Sequence, residues 1–106
     1  MSHILLYITC RDRSEALQIG RQLVGERLAA CANIVEAMTS IYEWQGQLCE
    51  DTECVLILKT RAALEAEARD RVLALHSYEL PCVVSLPVAT GHAPYLAWID
   101  RQTGLN

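Results

Sequence analysis

One-faced strand patterns near both ends of the chain, two helical apolar stripes and a long β-forming stretch between them predict an α+β fold. The order β-α-β-β-α-β, with a short C-terminal helix added, is that of the split βαβ, or ferredoxin-like, sandwich: sheet on one side, helices on the other. The central hairpin stands out. Residues 31–60 carry Val, Ile, Thr, Tyr and Trp on both arms and fold back at Gln45-Gly46-Gln47, where glycine supplies the positive φ a tight turn needs. Each arm of roughly 13–15 residues would span about 45 Å at ~3.3 Å per residue, against a radius of gyration of only ~13 Å for a compact domain of this size. Such a hairpin must project, bend sharply or lie on another copy of the chain.

Taken in order, residues 3–10 read as a strand with an apolar face (Ile4, Leu6, Ile8, Cys10) and a mixed one (His3, Leu5, Tyr7, Thr9). Asp12 or Ser14 caps a helix over 13–28, with Glu15 in its first turn and Leu17, Gly20, Leu23, Val24 and Leu28 at helical spacing. Gly20 and Gly25 each cost up to ~1 kcal/mol inside a helix, so close packing on the sheet is the expected reason for them. After the hairpin, Leu64, Ala68, Val72 and Leu75 stripe a second helix over 61–75, whose solvent side carries the i,i+4 pairs Glu65–Arg69 and Glu67–Arg71. The last strand, 82–88, again has an apolar even-numbered face (Cys82, Val84, Leu86, Val88). Gly91 breaks it, and Pro94 opens the terminal helix that Tyr95 and Trp98 would pack down.

Composition narrows the function. At 106 residues and 52% hydrophobic content the chain is one domain, 1–106, with a single core. A net charge of −4 is wrong for a nucleic-acid binder that must neutralise phosphates. The N-terminal apolar run, Ile4 to Ile8, is far shorter than a signal or membrane segment, so the expectation is a cytoplasmic protein without a membrane partner. The five cysteines are odd in number and lack a CxxC spacing, which favours free thiols. With no phosphate-cradling glycine loop, nucleophile elbow or HExxH, nothing marks an enzyme.

Two places carry candidate chemistry. The first and last strands of this topology are antiparallel neighbours, which brings Cys10 beside Cys82, with His76 just upstream. Thiolate and imidazole together suit Cu(I) or Zn(II); the alternative is a pair of core cysteines and a histidine facing the last helical carbonyls. The second place is the connection His76-Ser77-Tyr78-Glu79-Leu80-Pro81, which gathers an imidazole, a phenol and a carboxylate on one loop. Tyr42 and Trp44 share a strand face that a monomer would leave exposed, as at an interface. Lys59 and Glu79 are natural members of a polar site or an ion pair.

The segments Glu26-Arg27-Leu28-Ala29-Ala30-Cys31-Ala32-Asn33-Ile34, Thr39-Ser40-Ile41-Tyr42-Glu43-Trp44-Gln45-Gly46 and Lys59-Thr60 resemble the CutA family of divalent-cation tolerance proteins. His76-x-Tyr78-Glu79-x-Pro81 and Gly91-x-x-x-Tyr95-Leu96-x-Trp98-Ile99 continue the resemblance in order over nearly the whole chain. It implies a ferredoxin-like homotrimer whose hairpins pack across subunits, a cytoplasmic setting, and copper or another divalent metal as the bound species, without catalysis. The loop histidine of the family's proposed copper site maps onto His76, and the intersubunit cleft onto Tyr42, Trp44, Lys59, Tyr78, Glu79, Tyr95 and Trp98. Three departures are visible. Ser77 stands where the family usually has proline, His92 adds a potential ligand after Gly91, and the family's first-strand thiol does not map cleanly onto Cys10. A rival from another class is a PII-like sensor, which shares the architecture and takes a metabolite or nucleotide between subunits.

Overall fold

The computed structural model describes residues 2–105. Eight elements follow in the order β1 (His3–Cys10), α1 (Arg13–Gly25), β2 (Cys31–Trp44), β3 (Gln47–Arg61), a single 3-10 turn (Ala62–Leu64), α2 (Glu65–Leu75), β4 (Val83–Val88) and α3 (Ala93–Gln102). The strands form one antiparallel sheet in the order β2-β3-β1-β4. This is the expected split βαβ arrangement. α1 and α2 bury the even-numbered face of β1 and β3, where Ile4, Leu6, Ile8, Cys10, Leu56 and Leu58 meet Ile19, Leu23, Ala68 and Val72.

The hairpin projects. The molecule measures 48 × 25 × 22 Å, the long axis being far more than a globule of this length needs. Gln45 (φ 51°) and Gly46 (φ 81°) form a two-residue turn of the primed type closed by the Trp44–Gln47 pair. Midway, Glu36 and Ala37 oppose only Cys54, a bulge that bends β2. Beyond it Ile41 and Leu48 are 67% and 80% exposed, so the tip is apolar and uncovered by its own chain.

Several boundaries move, each for a visible reason. α1 stops at Gly25 instead of Leu28 because Arg27 adopts a left-handed φ of 59°. Its N–H bonds Val24 O at 3.1 Å and Leu28 N–H bonds Leu23 O at 3.0 Å, the paired closure of a Schellman cap. Since that position favours glycine, Arg27→Gly is expected to raise stability by about 0.5–1 kcal/mol in urea unfolding, and no gain would mean the strain is absent. Gly20 has the predicted role: an added Cβ would sit 3.1 Å from Ala32 Cβ, so α1 lies close on β2. Gly25 meets nothing within 4 Å and has no packing role.

Arg61 remains in β3 because its guanidinium bonds Thr103 Oγ1 and Thr103 O at 2.8 and 2.9 Å, delaying α2 to Glu65. Arg69 pairs with Glu65 as expected. Arg71, expected to pair with Glu67, crosses instead to Glu26, the residue that follows α1, at 2.9 Å. α3 begins with Pro94 in its first turn. It is held down by buried Ile99 and by Asp100 on His3 at 2.8 Å, leaving Tyr95 38% exposed.

β4 starts at Val83, and its apolar even-numbered face does not enter the core. Ile8 pairs with Val83, Tyr7 with Val84 and Leu5 with Leu86, so Val84 and Leu86 share the face opposite α1 and α2. They are 49% and 47% exposed, on one open face with Leu5, Tyr7 and Ile57.

Candidate functional site

The first site forms where β1 ends and α2 stops. Asp12 caps α1 by accepting Glu15 N–H at 2.9 Å, which turns the Glu15 side chain back over the β1 end. There its carboxylate accepts Arg11 N–H and Ser77 N–H, both at 2.9 Å, while 3% exposed. α2 ends at His76, whose extended backbone carries the ring back to β1. Nε2 lies 2.8 Å from Thr9 O, and Nδ1 accepts Tyr78 N–H at 3.1 Å, which assigns the proton to Nε2. Ligand atoms of Cys10, Glu15 and His76 all lie within 4.8 Å of one another.

Burial, then the neighbouring Glu15 charge, pushes the Cys10 thiol up to about 12. For Glu15 burial opposes the charge, but the hydrogen bonds from Ser77 and Arg11 outweigh it and hold the carboxyl below its ordinary value of 4.5. The donor set of sulfur, imidazole and carboxylate is a reasonable one for zinc or copper. A metal at His76 must displace the Tyr78 N–H from Nδ1 or the Nε2 proton from Thr9, so loading it would disturb the His76–Tyr78 turn. Glu15, read from sequence only as a helix-first-turn acid, is the member that sequence reasoning missed.

Two of the predicted ligands lie elsewhere. Cys82 precedes Val83, which pairs with Ile8, so Cys82 falls on the face of Thr9 and not on that of Cys10. The two thiols are near in register but on opposite faces. His92 precedes α3, beyond Val88, which pairs with His3 at the far end of β1.

The second site is on the open face. A cavity of about 470 Å³ lies between the hairpin, which contributes Tyr42, Trp44 and Glu53, and the loop, which contributes Tyr78, Glu79 and Leu80. Thr9 and Cys82 also line it. Tyr78 OH donates to Glu53 at 2.6 Å and Tyr42 OH donates to Asp51. Burial and the Glu53 bond raise the Tyr78 phenol well above its usual range, and the Asp51 bond raises Tyr42 to about 12. Both phenols therefore stay protonated as donors. The hairpin meets the loop of its own chain, so four of the seven predicted cleft residues come together without a second subunit.

The other three form a separate group. Lys59 Nζ lies 3.4 Å from Tyr95 OH and 5.4 Å from that ring's centre, and Tyr95 stacks on Trp98 at 5.5 Å.

Comparison with known proteins supplies the context. The family model "CutA1 divalent ion tolerance protein" matches residues 4–102. The divalent-cation tolerance protein CutA of Thermus thermophilus is 45% identical over 104 residues, covering 98% of this chain and 100% of that protein. Protein CutA of Homo sapiens is 41% identical over 97 residues, covering 92% of this chain but 54% of its own length. The chain thus spans the whole of the first and about half of the second. The solved structure of the periplasmic divalent cation tolerance protein CutA from Archaeoglobus fulgidus has a TM-score of 0.92 at 40% identity, covering 95% of this chain and 98% of that one.

Proposed function

The chain belongs to the CutA1 divalent ion tolerance family, and on that premise we propose that it is a non-catalytic, homotrimeric binder of divalent metal, copper foremost, in the cytoplasm. The observation that carries this reading is the meeting of Cys10, Glu15 and His76 within 4.8 Å. His76 is the anchoring ligand, Cys10 and Glu15 complete the set, and Cys82 and His92 are optional ligands brought in by loop movement or by a neighbouring subunit. The exposed Val84–Leu86 face and the bare hairpin tip support the trimer. In it, the Lys59–Tyr95–Trp98 group of one subunit faces the Tyr42–Trp44 cavity of the next. Five free cysteines suit a reducing compartment.

Calorimetric titration with copper and zinc tests the site. His76→Ala and Cys10→Ser should each weaken binding by at least the ~10–100-fold lost when only an outer partner of a ligand is removed. Cys82→Ser and His92→Ala rank the optional ligands. The pH dependence is a sharper check. Because the Cys10 thiol is raised to about 12, loading a metal must expel its proton throughout the neutral range. Affinity should therefore rise about tenfold per pH unit between roughly pH 6 and 8, and a flat profile would remove Cys10 from the ligand set.

A second reading, the PII-like sensor of a small metabolite or nucleotide, is favoured by the cavity between Tyr42, Trp44 and Tyr78. Its volume lies within the range of small-molecule sites.

A further inference from the structure

We propose that Cys10 and Cys54 form a reversible cross-strand disulfide that withdraws Cys10 from the metal site, so that oxidation by a small hydroperoxide releases the metal. The release rests on the Cys10–Glu15–His76 reading of that site; the bridge itself does not.

Strand register brings the two thiols together. Cys10 is the last residue of β1, and its direct partner on β3 is Cys54. Residues directly opposite in an antiparallel ladder point to the same face, with Cα atoms about 4.5 or 5.5 Å apart according to the bonding of the pair. Both spacings lie inside the ~4.4–6.8 Å range of disulfides. The pair belongs to the core beneath α1 and α2, Cys10 being 0% and Cys54 3% exposed. That is the helix-covered face, so a subunit seated on the open face leaves the pair as it is. The other cysteines are set differently: Cys31 opposes Lys59, Cys49 opposes Tyr42, and Cys82 lies on the face of Thr9.

The strands have room to close the bridge. The Cys10–Cys54 pair is the last of its ladder, and on its other side Cys54 meets the Glu36–Ala37 bulge, where pairing is interrupted. Cys54 is the thiol that an oxidant reaches first. The charges acting on it are those of Glu36, Asp12 and Arg13, all exposed, so it lies close under the surface, whereas Cys10 sits against buried Glu15. Burial raises both thiols, Cys10 to about 12, while Arg13 opposes the rise at Cys54.

The chemistry balances with one hydroperoxide. The Cys54 thiolate attacks the peroxide, the O–O bond breaks, and one oxygen stays as a sulfenic acid while the other leaves and takes the thiol proton as water. Cys10 then gives up its proton and attacks the Cys54 sulfur. The S–O bond breaks, and the hydroxide leaves with that proton as a second water. Two electrons have passed from the sulfurs to the peroxide. A metal binds thiolate sulfur, so the disulfide removes Cys10 as a ligand and leaves Glu15 and His76 alone.

The test combines mass spectrometry with zinc calorimetry on the full chain, zinc being redox-inert. Metal-free protein treated with millimolar hydrogen peroxide should lose its two thiol hydrogens and yield a linked Cys10–Cys54 peptide that a phosphine reductant separates. Cys82→Ser should give the same linkage, and Cys54→Ala, with Cys54→Ser as a second variant, should give none. After peroxide is removed, wild type should bind zinc at least ~10–100-fold more weakly and recover on reduction, while both Cys54 variants bind as before treatment. Zinc loaded beforehand should slow the bridge, because metal and disulfide compete for one sulfur. Absence of the Cys10–Cys54 peptide, or equal loss of zinc by the Cys54 variants, would overturn the proposal. A bridge that leaves zinc affinity unchanged removes the release. If untreated protein binds no zinc yet forms the bridge, the metal-site reading falls and the release with it, and the disulfide alone stands.

Discussion

Metal-free Glu15→Ala is expected to lose about 3–5 kcal/mol of stability, the largest effect predicted for any single polar residue here. The carboxylate is 3% exposed and accepts N–H groups from two segments distant in sequence, Arg11 after β1 and Ser77 after α2. Removing it strands both donors, and a hydrogen bond to a charged partner is worth about 1.5–3 kcal/mol. Arg11 lies 3.7 Å away but is itself about half exposed, so that pair adds little. Glu15→Gln keeps one acceptor oxygen and should lose roughly half as much. The pH dependence has a definite sign. The folded carboxyl titrates below its ordinary value of 4.5, so its contribution is full above that value. It is lost as pH falls through the lowered folded value. Urea unfolding of the wild type from pH 7 to 3 should show a steeper acid loss than Glu15→Gln; parallel curves would mean that the charge contributes nothing.

That residue also shows what the sequence could and could not reveal. Period-two alternation identified β1 and its buried face, because one side of that strand is uniformly apolar, whereas the hairpin arms were read from their β-forming residues alone. It misassigned β4, where Val84, Leu86 and Val88 look like a core face. Which face of a strand enters the core is decided by register against its neighbour, and pairing Ile8 with Val83 sends the even-numbered residues outward. The same register separates Cys10 from Cys82, which sequence order alone places together. Glu15 was legible as a favourable first-turn acid, a local property, but its bond to Ser77 spans 62 positions and leaves no periodic trace. Arg71 repeats the lesson: Glu67 and Glu26 are both candidate partners, and only helix packing selects Glu26. The cavity was half legible. Tyr42–Trp44 and Tyr78–Glu79 were each singled out, yet nothing in the chain said that the bend of β2 at Glu36–Ala37 would leave them together within one subunit.

Leu86→Lys is expected to convert the proposed trimer into a folded monomer. Leu86 is 47% exposed, pairs with Leu5 and adjoins Val84 at 49% on the open face, and a lone chain has no use for a continuous apolar surface there. Lysine at that position leaves an isolated chain almost undisturbed, because the ammonium reaches water while its stem lies along the strand. In an assembly it would be buried. An uncompensated buried charge costs about 3–5 kcal/mol, and symmetry imposes that cost at every equivalent interface. At each interface the penalty removes roughly half of the about 8 kcal/mol of a micromolar contact, a weakening of about two to four orders of magnitude. Light scattering should therefore report three times the 11.8 kDa chain mass for the wild type and the single-chain mass for Leu86→Lys, with far-UV circular dichroism unchanged. A wild type that scatters as a monomer at micromolar concentration would remove the trimer altogether. A Leu86→Lys protein that remains trimeric would move the interface off this face and onto the hairpin, where Ile41→Lys and Leu48→Lys, carrying the charge to its bare apolar tip, would be the next positions to fail.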